Sequence, residues 1–204
     1  MRLWTVQPIE VLKAIQREGF ARVDPSKTPT RWFVPSSYRW LIWQMGERLV
    51  LPDEYHGNDD SHRKGIFPWF AYCERPDLRW VRHSQMGKQT LIEFSPPLDR
   101  FLSFPCWAWG DIFCGFFLAY TRQEYSDWNS KFRESHGCGY RDWEASVLPQ
   151  PFQSERDASW LRLFDPAIPK RSWRRGGTTK HEAVNDILDE SWIKKVTLFE
   201  GCRR

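Results

Sequence analysis

The chain carries none of the short motifs that announce a common chemistry. It has no Gly-rich phosphate loop, no Gly-x-Ser-x-Gly elbow and no hydrolase-like order of Ser, His and Asp, so P-loop and serine-hydrolase functions are not expected. Cysteine is scarce. Cys73, Cys106, Cys114, Cys138 and Cys202 make an odd number, five, and no pair sits at metal-ligand spacing. A disulfide scaffold is therefore not expected, and Cys106 and Cys114, set in apolar sequence, read as small hydrophobes. Cys73 has no histidine placed by sequence to activate it, which argues against a nucleophilic cysteine. There is no low-complexity tract and no internal repeat. No apolar leader is expected, because Glu10 and Lys13 interrupt the N-terminal stretch early. The most apolar run, Phe101 to Tyr120, holds Pro105, Asp111 and two glycines, so it reads as core rather than as a membrane span. The expectation is a cytoplasmic protein with no membrane partner.

What is present is globular. Of 204 residues, 41% are hydrophobic and 27% charged, and the net charge of +4 is too mild to establish a nucleic-acid partner by itself. Aromatic residues are abundant: 13 Trp, 14 Phe and 6 Tyr. They build an aromatic core, and some are candidates to line a pocket for a flat ligand.

Leu3 to Gln7 reads as a strand, followed by a helix with Pro8 at its first position, an apolar stripe of Ile9, Val11, Leu12 and Ile15, and Gly19 as its stop. A second helix is predicted from about Tyr38 to Val50, capped by Ser36 or Ser37. Ile66 to Tyr72 and Thr90 to Phe94 are strand candidates, and Leu98 to Trp109 reads as a strand or an irregular aromatic segment. Helices are predicted over 111–120 and 122–134, and a further one, capped by Ser154 or Asp157, through Phe164. Thr179 to Ile187 and Ile193 to Phe199 look like two final strands. Separated strands and helices of this kind predict one α+β domain over residues 1–204.

Four places invite a chemical reading. His56 and His62 lie in a polar loop with Asp53, Glu54, Asp59 and Asp60, which reads as a solvated loop; no metal site is expected. Pro76-Asp77-Leu78-Arg79 is a compact turn in which Asp77 caps its own backbone or Arg79 offers a fork to a phosphate or carboxylate. The stretch from Lys170 to Lys180 has five basic residues in eleven, with Trp173 among them and Gly176-Gly177 beside it. It reads as a mobile surface loop or as a grip on nucleic acid, cations meeting phosphates and the indole meeting a base. Finally, Glu182 is an acid inside an otherwise strand-like run, where burial without a partner is costly.

Leu3-Trp4-Thr5-Val6-Gln7-Pro8, Phe67-Pro68-Trp69-Phe70-Ala71-Tyr72, Arg75-Pro76-Asp77-Leu78-Arg79 and Leu91-Ile92-Glu93-Phe94 follow one another, with Ser159-Trp160 and the two last strands behind them. In this order they resemble a bacterial domain family of unknown function that begins Leu-Trp-Thr-Ile-Gln. That family in turn looks like a distant relative of the ADP-ribosyltransferase toxins that modify nucleic acid. The resemblance implies a split β-sheet core with several packed helices. Thr5 and Gln7 fall on the His-x-Thr pair of those toxins and Glu182 on their catalytic glutamate. Thr5 stands where they carry histidine, and Lys180 where they carry glutamine.

The same resemblance implies an enzyme that uses NAD as co-substrate, a transferase of the glycosyltransferase class. Glu182 would be catalytic. Thr5 and Gln7 would hold the ribose or the nicotinamide amide, Trp69 or Tyr72 would flank the nicotinamide, and Arg79 would meet the pyrophosphate. Arg171, Trp173, Arg174 and Arg175 would select the acceptor, a base of single-stranded RNA or DNA. The implied setting is a toxin held by an antitoxin protein or deployed in phage defence. The alternatives are a non-enzymatic module that binds nucleic acid or protein, with Glu182 pairing Lys180 or His181, and an ADP-ribosyltransferase aimed at protein.

Overall fold

Strand β1 spans Leu3–Pro8, with Leu3 and Thr5 buried and Trp4 and Val6 only partly so, the two-residue alternation of a half-buried strand. The computed structural model describes residues 1–23, 36–51, 67–143, 148–169, 173 and 180–202. These fall into two compact units, Met1–Ser103 with Lys180–Arg204, and Phe104–Thr179.

The first unit is built on β1, β3 (Trp69–Tyr72), β4 (Met86–Phe94), β6 (His181–Asn185) and β8 (Ile193–Cys202). With β5 (Leu102–Pro105), along which the chain leaves this unit, they form a six-stranded sheet in the order β5-β6-β3-β1-β4-β8. The β1–β3, β1–β4, β3–β6 and β4–β8 pairs are antiparallel. Helix α1 (Ile9–Glu18) follows Pro8 directly and ends at Gly19, whose φ of 81° allows the left-handed cap that sends its N–H to the Ile15 carbonyl at 2.7 Å. Its Val11, Leu12 and Ile15 pack on Leu3, Trp69, Ala71, Ile92, Phe94 and Ala183. Pro8 sits one place before the helix, not inside it: its ψ of 149° is extended. Helix α2 (Ser36–Arg48) buries Leu41, Met45 and the neighbouring Leu49.

Two short strands, β2 (Phe20–Arg22) and β7 (Ile187–Asp189), pair as a separate sheet. The single strand expected over 179–187 is thus cut at Asp186. Asp186 is buried, and both of its carboxylate oxygens accept from Arg100 at 3.0 Å. An ion pair at that point takes the residue out of the ladder and lets the chain change sheets. The expected turn at Pro76–Arg79 is the start of a helix, α3 (Leu78–Ser84), capped by Asp77, whose carboxylate accepts from the Arg79 N–H at 2.9 Å. Leu78 and Val81 of α3 cover Trp4, Val6, Leu91 and Phe199.

The second unit holds α4 (Cys106–Phe113), α5 (Arg122–His136) and α6 (Phe152–Ser159), the last continued as a 3₁₀ turn to Phe164. The helix expected over 111–120 starts and ends earlier. Gly115, at φ 73°, gives its N–H to Ile112 while Phe116 reaches back to Asp111, a Schellman stop that an apolar run hides from periodicity. Ser154 and Asp157 do not cap α6: Ser154 bonds Gln150 and Asp157 pairs with Arg156. The core of this unit is aromatic as expected, with Phe117 stacked on Trp128 at 4.7 Å and Phe132, Tyr140 and Phe152 around them. No described helix is long and apolar enough to cross a membrane.

Candidate active site

β1 pairs with β4 at six positions and β3 pairs with β6 at four, yet β1 and β3 meet at one, Trp4 opposite Tyr72. Beyond that point the sheet opens. A cavity of about 220 Å³ occupies the opening, lined by Thr5, Val6, Gln7, Phe70, Ala71, Tyr72, Gln85 and Glu182. Consecutive residues of both strands line it, which fits a gap between strands rather than a hollow on one face. Thr5 is almost wholly buried, and its hydroxyl bridges the gap: it donates to the Phe70 carbonyl at 3.2 Å and accepts from the Gln7 amide at 2.8 Å.

Glu182 enters from the next strand. It lies directly opposite Tyr72 in the β3–β6 register, and opposite residues of an antiparallel pair put their side chains on one face. Its charge is felt by two neighbours. Burial first, and Glu182 second, push the Tyr38 phenol up from 10.0 to about 12. Burial, then Glu182, then Glu74 push the Cys73 thiol up from 9.0 to about 12. Both groups therefore stay protonated at neutral pH, and Cys73 is unfit as a nucleophile there. Tyr38 of α2 also packs on Phe70, with ring centroids 6.0 Å apart. The site thus combines one carboxylate, the Gln7 amide, a buried hydroxyl and an aromatic edge at Tyr72, with Gln85 closing one side.

Of the residues singled out from sequence, Thr5, Gln7, Tyr72 and Glu182 line this cavity, Thr5 and Gln7 from one face of the sheet and Tyr72 and Glu182 from the face that Trp4 shares. Trp69 does not join them. It is not among the residues that line the cavity and is buried instead beside Leu3 and Ala183. Arg79 does not line the cavity either. Its guanidinium grips Asp77, with Nη2 to Oδ2 at 2.7 Å, and the pair holds the Asp77 carboxyl below its usual range. Trp173 is half-buried against Tyr125 at 5.3 Å, and its indole donates to the Ala119 carbonyl at 3.3 Å. Arg171, Arg174 and Arg175 lie outside the described residues, as do Asp53, Glu54, His56, Asp59, Asp60 and His62. Among the described residues no three His, Cys, Asp or Glu side chains cluster to hold a metal ion.

Sequence reasoning missed Gln85, Tyr38 and Cys73 as neighbours of this site. Cys73 adjoins Tyr72 and was legible in principle. Gln85 and Tyr38 arrive from α3 and α2 through tertiary packing, and no local pattern marks them.

The fold and the cleft define an α+β protein whose mostly antiparallel sheet parts around a cavity lined by a carboxylate. The chain belongs to the family described as Domain of unknown function (DUF3841), whose model matches residues 2–193. No curated protein and no solved structure matches the chain.

Proposed function

We propose that this chain is an NAD-dependent ADP-ribosyltransferase that modifies a base of single-stranded nucleic acid. One observation carries the reading: Glu182 shares a small split-sheet cleft with Thr5, Gln7 and Tyr72, the combination that the resemblance to nucleic-acid-modifying toxins implies. The cavity of about 220 Å³ has room for one flat ring.

In the proposed reaction the bond between ribose C1′ and the nicotinamide nitrogen breaks, and nicotinamide leaves neutral with the bonding pair. A lone pair on the acceptor base forms the new bond to C1′, and the proton lost from the base passes to solvent. Positive charge grows on the ribose as the bond breaks, as in glycoside cleavage. The Glu182 carboxylate would face that charge and accept from a ribose hydroxyl, an interaction stronger in the transition state than in the ground state. Gln7, held by Thr5, would meet the carboxamide, and Tyr72 would lie along the ring. A cell's own nucleic acid modified in this way is damaged, so the setting is a toxin restrained by an antitoxin protein or released in phage defence.

The test is transfer of label from radioactive NAD to RNA and DNA oligonucleotides. Glu182→Gln removes the charge and keeps the shape, and its expected loss is at least about 100-fold. Equal labelling by wild type and variant would sink the proposal, as would a wild type that labels neither oligonucleotides nor protein. Label appearing in protein alone would move the acceptor assignment and leave the catalytic one standing.

A further inference from the structure

Trp80 is the most exposed large hydrophobic residue described, at 80%. A single exposed apolar side chain is ordinary; its company is what singles this one out. Leu78 and Val81 turn inward on the sheet, so the helical period of 3.6 leaves Arg79, Trp80, Arg82 and His83 on the solvent face of α3. Arg79 is engaged by Asp77. Arg82 and the preceding Arg75 are exposed, and no described carboxylate lies within ion-pair distance of either. One indole thus stands between cations on a short helix.

The C-terminal end of that helix adjoins the cleft. Gln85, the residue after its last turn, lines the cavity. At the other end the capping Asp77 carboxyl is lowered chiefly by Arg79 and least by Lys180, an exposed cation two residues before Glu182 in the chain.

We propose that the solvent face of α3, with Trp80 as a stacking platform and Arg75, Arg82 and Lys180 as phosphate contacts, binds single-stranded nucleic acid beside the cleft. An aromatic face stacks on any unpaired base, and flanking cations follow the phosphate backbone. A membrane surface fits less well, because seven residues with one exposed apolar side chain offer little area to bury in lipid. Lys180 is the last residue of the basic stretch from Lys170 to Lys180 that the sequence singled out, while Trp80 and Arg82 were not marked there; the proposal deepens the transferase reading, on which it rests for what is done to the strand. The binding itself needs no NAD.

The experiment is fluorescence anisotropy of labelled twelve-nucleotide RNA and DNA strands titrated with the full chain, without NAD, across a salt series. Trp80→Ala is expected to weaken binding about ten-fold, with Trp80→Phe recovering most of it. Arg82→Glu is expected to weaken it and to reduce the salt slope by about 0.7 for one lost phosphate contact. The side chains are exposed, so melting temperatures should not move, and neither should NAD consumption without a strand present. Undiminished binding in both variants overturns the platform and leaves the transferase reading intact. A wild type that binds no strand, or binds vesicles of anionic lipid and no strand, also overturns it. Trp80-dependent binding by a protein that never consumes NAD supports the platform and removes the transferase.

Discussion

Glu182→Gln should make Cys73 more reactive, whatever the protein catalyses. The Cys73 thiol is raised from 9.0 to about 12 by burial, then Glu182, then Glu74. Burial is the largest of three causes acting in one direction, so Glu182 can supply at most half the rise. Removing its charge should therefore lower the thiol from about 12 by at most half of its rise from 9.0. At a pH well under the lowered value the thiolate population scales with the acid constant, so it rises by up to about 30-fold. Nucleophilicity falls as the thiol becomes more acidic, with a Brønsted slope of about 0.4–0.5, which leaves a net gain of up to about five- to eight-fold. The assay is alkylation by iodoacetamide at mildly alkaline pH, read peptide by peptide. Cys114 and Cys202 are exposed and serve as internal controls whose rates should stay constant. An unchanged Cys73 rate beside unchanged controls would refute the placement of an ionised Glu182 next to Cys73, and with it the electrostatic basis of the proposed site.

Asp186→Ala should destabilise the first unit by about 3–5 kcal/mol, because it strands the largely buried Arg100 guanidinium; denaturant melts check this, and Arg100→Met with Asp186→Leu should recover much of the loss. Gly201→Ala should lower stability by roughly 1–3 kcal/mol, since its Cβ would sit 2.6 Å from the Gln85 backbone; a melting temperature equal to wild type would contradict that close approach. Tyr38, raised from 10.0 to about 12, contributes stability that is complete below pH 10 and lost as pH rises through about 12, about 3 kcal/mol in all. Tyr38→Phe should therefore flatten the alkaline limb of a pH–stability profile over that window, and a limb as steep as wild type would show that the phenol is not held neutral.

Much of the local structure was written in short stretches of sequence. Strand β1, the stop of α1 at Gly19, the cap at Asp77, the break at Gly137 after α5 and the last strand all depend on residues within a turn or two of one another. Caps, left-handed glycines and two-residue alternation act over that range and need no partner. The resemblance to a family of unknown function also lay in the order of such stretches. The site was legible only as three separate strands. That β3 lies between β1 and β6, that β1 and β3 part after one paired position, and that Tyr72 faces Glu182 while Trp69 turns to the core were decided by packing. So were the diversion of β7 into a second sheet and the delivery of Gln85 to the cleft. Residues 5, 72 and 182 have no local interaction through which the chain could encode their distance. Their meeting follows from which faces the whole sheet must bury, and burial of apolar area is non-directional until the tertiary structure is complete.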